Sequence, residues 1–386
     1  MATEPESRSP KPKRLWWRFS IRGLMLLMLV ICAVMAFLVK DLMEAREEQA
    51  FLRRLEKVRT SITFVHDMAE DPDQLPGNSF LRAILGEDYK VRLYEVRMLD
   101  PIGEEMILRL PNLRHLEILK LGHEKLSDRS VDALARIPRL RRLTFNETEI
   151  TPEQLRRLAK SDSIEMLSLD RGSSTDAHLA QLPLFPKLEE VSIWPSFYNP
   201  SRATSDNGIK SLASIKGLKV LAVNSAPNIT DEAFANINRF RNLESLQISY
   251  LQLSDKSLAH IARATSLREL ILRSDGETPR ISSNGIKQLH PLKNLIRLEL
   301  QGAGIDDRCI PTIAQLPNLE ELYLSQTSVT DTGLASLKDS PSLACIVDSH
   351  NQITPKGLKA IGFIPNPDDP FSAGYARQRP DVLSTP

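Results

Sequence analysis

Cysteine is scarce: Cys32, Cys309 and Cys345 are the whole complement of a 386-residue chain. They are too few and too scattered for a disulfide framework, and no paired cysteines flank the rest. Aromatic residues make up only 5%, which argues for regular stacking over a core of interlocked large rings. Neither sign of charge is in excess, with 50 Lys+Arg against 49 Asp+Glu and a formal net charge of +1. Phosphate binding needs a basic stripe, so nucleic acid is excluded as the main partner. Catalytic signatures are missing too: there is no P-loop, no GxGxxG and no GxSxG. Gly122-His123-Glu124-Lys125 lacks the second histidine of a zinc helix. The seven histidines are scattered, and His115 and His123 have no ligand spacing. The expectation is therefore a chain without metal, cofactor or enzymatic activity.

What the sequence has in plenty is leucine, 57 residues or about 15%. One apolar block stands apart. Gly23 to Val39 is an uncharged run of 17 between Arg22 and Lys40. Residues 1–22 hold six Lys/Arg and two acids, net +4, which leaves −3 for everything after them. An apolar run behind a basic flank predicts a transmembrane helix over 19–40, with Trp16 and Trp17 at one interface and the N-terminus inside. A cleaved signal peptide ending near Val34 and Ala36 is the alternative. On this reading residues 1–18 are a disordered cytoplasmic tail. The rest is displayed outside a cytoplasmic membrane on a single-pass signal-anchor. The segment Trp17 to Arg22 with the apolar run resembles the N-terminal anchors of bacterial cell-envelope proteins.

The remainder is periodic. Repeats open at Leu116, Leu140, Ile164, Leu188, Leu218, Leu243, Leu267, Leu295, Leu319 and Leu343, spaced 24, 24, 24, 30, 25, 24, 28, 24 and 24 residues. A weaker copy at Leu93, Val96 and Met98 begins the array. Within one copy, Leu322 and Leu324 alternate with Tyr323, the period of a strand with one buried face. Thr330-Asp331 then supplies an N-cap oxygen and a first-turn acid for a short helix carrying Leu334 and Leu337. Thr151-Pro152 and Thr354-Pro355 place proline at the first helical position. No copy can bury its leucines alone, so neighbours must stack, with strands on an inner face and helices outside.

These features resemble the leucine-rich repeat family, and Thr-Asp-x-Gly-Leu at 330–334 is most similar to its ribonuclease-inhibitor-like and cysteine-containing branch. The resemblance covers 91–363 and implies an α/β fold, a curved solenoid of about ten to eleven repeats. The family's buried asparagine is present only as Asn351, with Thr148, Gly172, Ala303 or Thr327 elsewhere. Between the apolar run and the array, residues 41–90 form a linker. Phe51, Leu55, Val58, Ile62, Val65 and Ala69 recur at steps of four and three, predicting a helix that caps the solenoid or, as the alternative, pairs two copies through 51–69. Five prolines in 364–386 predict a disordered tail.

The resemblance implies a protein partner held on the concave face. Side chains flanking the strand leucines map that face as Ile118, Arg142, Met166, Val220, Gln247, Ile271, Arg297 and Tyr323. Two copies are swollen: by six residues through Trp194, Phe197 and Tyr198, and by four through Arg273 and Asp275. Insertions at one register emerge on one rim. Aromatic residues anchor interfaces, so Trp194, Phe197, Tyr198, Tyr250, Ile271, Arg273, Asp275, Arg297 and Tyr323 form the candidate site. Packing of Trp194 over its own loop is the alternative. A second functional reading makes the array the substrate-recognition arm of a degradation or signalling complex, since repeats of this branch serve F-box-type adaptors. No F-box-like helical module precedes residue 90.

Overall fold

The computed structural model describes residues 21–55, 60–64, 93–170, 173–194, 204–274, 280–302, 304–349, 352–365 and 374–377. Its strands are β1 (Thr60–Phe64), β2 (Leu93–Met98), β3 (Ile118–Gly122), β4 (Arg142–Asn146), β5 (Met166–Asp170), β6 (Glu190–Trp194), β7 (Val220–Asn224), β8 (Ser245–Ser249), β9 (Glu269–Arg273), β10 (Arg297–Gln301), β11 (Glu321–Ser325), β12 (Cys345–Ser349), β13 (Phe363–Pro365) and β14 (Gly374–Arg377). They form one sheet in which β2 to β12 lie parallel and in sequence order. The repeat fixes the register. Leu298 faces Leu322 and Leu322 faces Ile346, so each leucine column runs straight through the stack. All ten residues that open the repeats are buried, each with at most 1% exposure. Burying one such side chain contributes roughly 1.5–3 kcal/mol, and this column supplies the force that joins neighbours.

Five strands, β3, β4, β7, β8 and β11, leave through a left-handed residue at one repeat position: His123, Glu147, Ser225, Tyr250 and Gln326 have φ between 50° and 59°. The N–H of this residue donates to the next strand's last carbonyl, as from Tyr250 to Arg273 O at 2.8 Å. The chain then crosses to the far side and forms helices of seven residues or fewer between strands. Such helices are too short to survive alone.

Their N-termini show how the repeats lock together. Thr330 Oγ1 accepts from Thr332 N at 3.2 Å, the cap expected within the repeat. The neighbouring acid reaches forward instead: Asp331 accepts from Thr354 N at 2.7 Å and from Thr354 Oγ1 at 2.6 Å. Asp176, Asp206, Asp231, Asp255 and Asp307 do the same to Ser205, Thr230, Ser254, Ser282 and Thr330. A helix end that would leave orphan donors is thus satisfied by the preceding repeat. Gly208, Gly285, Gly333 and Gly357 stand where a Cβ would overlap that arriving carboxylate. Earlier repeats use another device. Gln154 Oε1 accepts from Thr151 N at 2.9 Å, while Gln154 Nε2 donates to Leu126 O at 2.9 Å. His178 repeats this one copy on, its Nδ1 against Thr175 Oγ1 and its Nε2 against Ile150 O, both at 2.7 Å. Thr148, at the position of the family's asparagine, is buried and donates to Leu121 O at 3.0 Å. Asn351, Ala303 and Gly172 lie outside the described residues.

The ends differ from the sequence expectation in three ways. The N-terminal helix, α1 (Ile21–Leu55), is 35 residues long. Among the described residues, no helix is long and apolar enough to cross a membrane. This overturns the single-pass anchor, and with it the localisation that placed the repeats outside a cytoplasmic membrane. The physical reason is length: 17 apolar residues rise about 25 Å, against about 30 Å of bilayer hydrocarbon. α1 simply continues past them through Lys40, Asp41, Glu44 and Arg46. Second, the helix with the apolar seam stops at Leu55, and Thr60–Phe64 is strand β1, antiparallel to β2. Thr60, Ile62, Thr63 and Phe64 are β-branched or aromatic, and β2 would otherwise be an open sheet edge. Phe51 alone of the described seam is shown buried, in the common core, and Arg54 pairs with Glu105 at 3.0 Å. Third, the proline-rich tail contains a strand. β14 inserts between β12 and β13, antiparallel to both.

Candidate protein-binding face

Helices cover one side of the sheet. The other presents alternate strand residues, held 4.7–4.9 Å apart by the ladder. In β11 the core takes Leu322 and Leu324, which turns Glu321, Tyr323 and Ser325 outward. The same register turns out Arg297, Glu299 and Gln301 from β10, and Glu269, Ile271 and Arg273 from β9.

One cluster centres on Arg297. Its guanidinium carbon lies 4.2 Å from the Tyr323 ring centroid. Its nitrogens reach Glu269 at 3.4 Å, Glu299 at 3.6 Å and Glu321 at 3.6 Å. Tyr323 Oη donates to Glu321 at 3.2 Å, and Arg273 Nε donates to Glu299 at 2.6 Å. Burial pushes the Tyr323 phenol above its usual pKa, so the group stays a neutral donor. Single exposed ion pairs contribute little, but a network fixes a guanidinium in place. A second cluster lies at the other end. Arg141 pairs with Glu165 at 2.6 Å and Arg142 with Glu190 at 3.5 Å, around an open depression of about 390 Å³ that Tyr94, Ile118 and Met166 also line. The Glu165 carboxylate raises the pKa of Arg141. Between the clusters the face is small and nearly uncharged: Val220, Ala222, Ser245 and Gln247.

Of the candidate residues, Trp194 ends β6 with 47% exposure, its indole N–H donating to Ser192 Oγ at 2.9 Å. Tyr250 is 46% exposed. It holds φ at 59°, an uncommon conformation for a bulky residue. Ile271 is buried at 5% despite its outward register, because Gln247 and Glu299 flank it on the adjacent strands. Arg273, Arg297 and Tyr323 meet in one network, whereas Trp194 stands three strands away, at roughly 14 Å by strand spacing. Phe197, Tyr198 and Asp275 lie outside the described residues. Sequence reading missed Glu269, Glu299 and Glu321, and the Arg141–Glu165 pair. Part of their signal was present: the residue before the first strand leucine reads Glu269, Arg297 and Glu321 in three successive repeats, and the one before that reads Glu117, Arg141 and Glu165. Among the described residues, no group of three or more His, Cys, Asp or Glu could hold a metal ion.

The leucine-rich repeat family model matches residues 315–338 and 349–362. No curated protein matches it. Similar solved structures include the Rad7 and Elc1 complex in yeast, at 21% identity over 66% of this chain and 68% of that one, with a TM-score of 0.49. An internalin, inlF, of Listeria monocytogenes shares 18% over 73% and 91%, with a TM-score of 0.42. The TLR13–ssRNA13 complex shares 19% over 64% and 38%, with a TM-score of 0.43. At TM-scores below 0.5 these bear on neither partner nor activity.

Proposed function

We propose that this chain is a non-enzymatic protein-binding scaffold that holds a protein partner against the open sheet face and the rim at Trp194 and Tyr250. The observation that carries this reading is the Arg297 cluster. An arginine and a tyrosine, both enriched at interface hot spots, are fixed by a rigid ladder before any partner arrives. Pre-organisation of this kind lowers the ordering cost of association. The two arginine–carboxylate clusters flank a stretch of small residues, Val220, Ala222 and Ser245, bordered by the Lys219–Glu189 pair, an arrangement that gives specificity at the ends and close packing between them.

Lysine positions make the reading testable with the full chain. Lys120 and Lys219 border the sheet face, whereas Lys210, Lys256 and Lys287 lie in the helices of the covered side. With a captured partner, amine cross-links are expected at Lys120 and Lys219 and to be lost on Arg297→Glu/Tyr323→Ala. Cross-links confined to Lys210, Lys256 and Lys287 would place the interface elsewhere.

A further inference from the structure

On the sheet face, the open depression beside Arg141 and Arg142 is lined so as to select one kind of side chain. Its volume is about 390 Å³, and its apolar lining is Tyr94, Ile118 and Met166, each half-buried. Its charged lining sets four carboxylates, Glu117, Glu165, Glu189 and Glu190, against two guanidinium groups. Every cation here is already neutralised. Arg141 lies between Glu165 at 2.6 Å and Glu117 at 3.7 Å, Arg142 meets Glu190 at 3.5 Å, and Lys219 of the next strand meets Glu189 at 2.8 Å. The carboxylates are only half used. Glu165, Glu189 and Glu190 make these contacts through Oε2, which leaves Oε1 of each as an acceptor among the described residues, and an ionised carboxylate has about four lone-pair sites to offer. An anion arriving from a partner would have to displace a carboxylate that the strand ladder holds in place. A cation displaces nothing.

We propose that this depression holds an arginine side chain of the protein partner, its methylene stem on Ile118 and Met166 and its guanidinium against Glu189 and Glu190. The proposal rests on the sheet-face reading of the function and names the group recognised at that end of the face. Arginine suits both halves of the lining. Its stem covers apolar surface while the head stays charged, and the planar head carries five N–H donors in a fixed fork that matches carboxylate oxygens. Lysine brings three donors and no plane. The face already pairs these groups within the chain, where Arg141 donates from Nε and Nη2 to Glu165 at 3.0 and 2.6 Å.

Methyl NMR of the full chain labelled at methionine tests this, because Met166 lines the depression and Met166→Leu assigns its signal. The probes are the N-acetyl amides of arginine, citrulline, lysine and glutamate at constant ionic strength. The arginine probe is expected to shift the Met166 signal saturably. Citrulline keeps the shape and loses the charge, so it should bind at least about tenfold more weakly, with lysine between the two. Glu189→Gln/Glu190→Gln should weaken the arginine probe by about tenfold or more; if that variant loses its thermal transition, Glu190→Gln alone is read instead. Arg297→Glu/Tyr323→Ala, which tests the sheet-face reading itself, begins four strands beyond β6 and should leave this titration unchanged, so the two readings fail separately. Citrulline or lysine bound as tightly as arginine, glutamate bound more tightly, no saturable shift at Met166, or undiminished binding in the folded variant overturns the proposal.

Discussion

His178 shows how one position can be solved by different chemistry. It occupies the third helical position of its repeat, where Gln154 stands one copy earlier and glycine stands in several later copies. The imidazole does what the amide does: one atom faces the cap, the other a carbonyl of the preceding repeat. An imidazole, unlike an amide, titrates. Burial lowers the His178 pKa below its ordinary 6.5, with the Ile150 carbonyl opposing. The unfolded chain therefore takes up a proton first. The neutral ring's contribution is complete above about pH 6.5 and is lost as pH falls below that value. His178→Gln should fold as the parent does and lack this dependence. Urea midpoints of the two proteins should converge above pH 7 and separate toward pH 5, the parent falling faster; parallel curves would show that His178 is not held neutral. None of this was legible from the histidine itself, because its carbonyl partner lies 28 residues away.

At the scale of the element, the helix starts were readable and their purpose was not. Thr330-Asp331 announces an N-cap, and the threonine makes it. The aspartate looked like a first-turn acid serving its own helix dipole, yet its carboxylate serves the next repeat. The missing signal was a pair, not a residue: an Asp in one copy and a Gly two positions beyond the following first-turn residue. Gly333 makes the linkage measurable. Alanine is the better helix former by about 1 kcal/mol, so Gly333→Ala would stabilise an isolated helix. Here its Cβ would overlap the Asp307 carboxylate, and overpacking costs typically 1–3 kcal/mol, so destabilisation should win. Asp307→Ala alone removes the cap contacts at Thr330 and should also destabilise. The double variant should cost less than the sum, by about 1 kcal/mol in a urea-denaturation cycle, because alanine then has room. Strict additivity would mean that Gly333 is there for some other reason. The β1 strand was illegible for a related reason: residues 60–64 fit a helical apolar seam, and only the need to cover β2 makes them extended.

For the whole molecule, the leucine period fixed the sheet order and register, since each column must meet the next. What a period cannot encode is where stacking stops. Each repeat contacts its neighbours, so stability is close to a sum of local terms, and the ends decide how far it is realised. At the C-terminus that role falls to residues whose composition suggested no structure. Gly374–Arg377 pairs Ala376 with Cys345 and Tyr375 with Ile346, and so covers the free edge of β12. Tyr375 packs against the core cluster. Deleting residues 366–386 would leave β12 with one row of unpaired N–H and C=O groups beside Phe363. Amide exchange in Cys345–Ser349 should then accelerate by about tenfold or more, the equivalent of about 1.4 kcal/mol of lost local protection. Glu321–Ser325 should change less, and Ile118–Gly122, eight or more strands away, not at all. The gradient is the diagnostic, because a repeat stack frays from an uncapped end whereas a globule with one cooperative core would lose protection evenly along the chain. A uniform change would therefore contradict the nearest-neighbour architecture. An unchanged β12 would show that Phe363–Pro365 closes the edge without its partner strand.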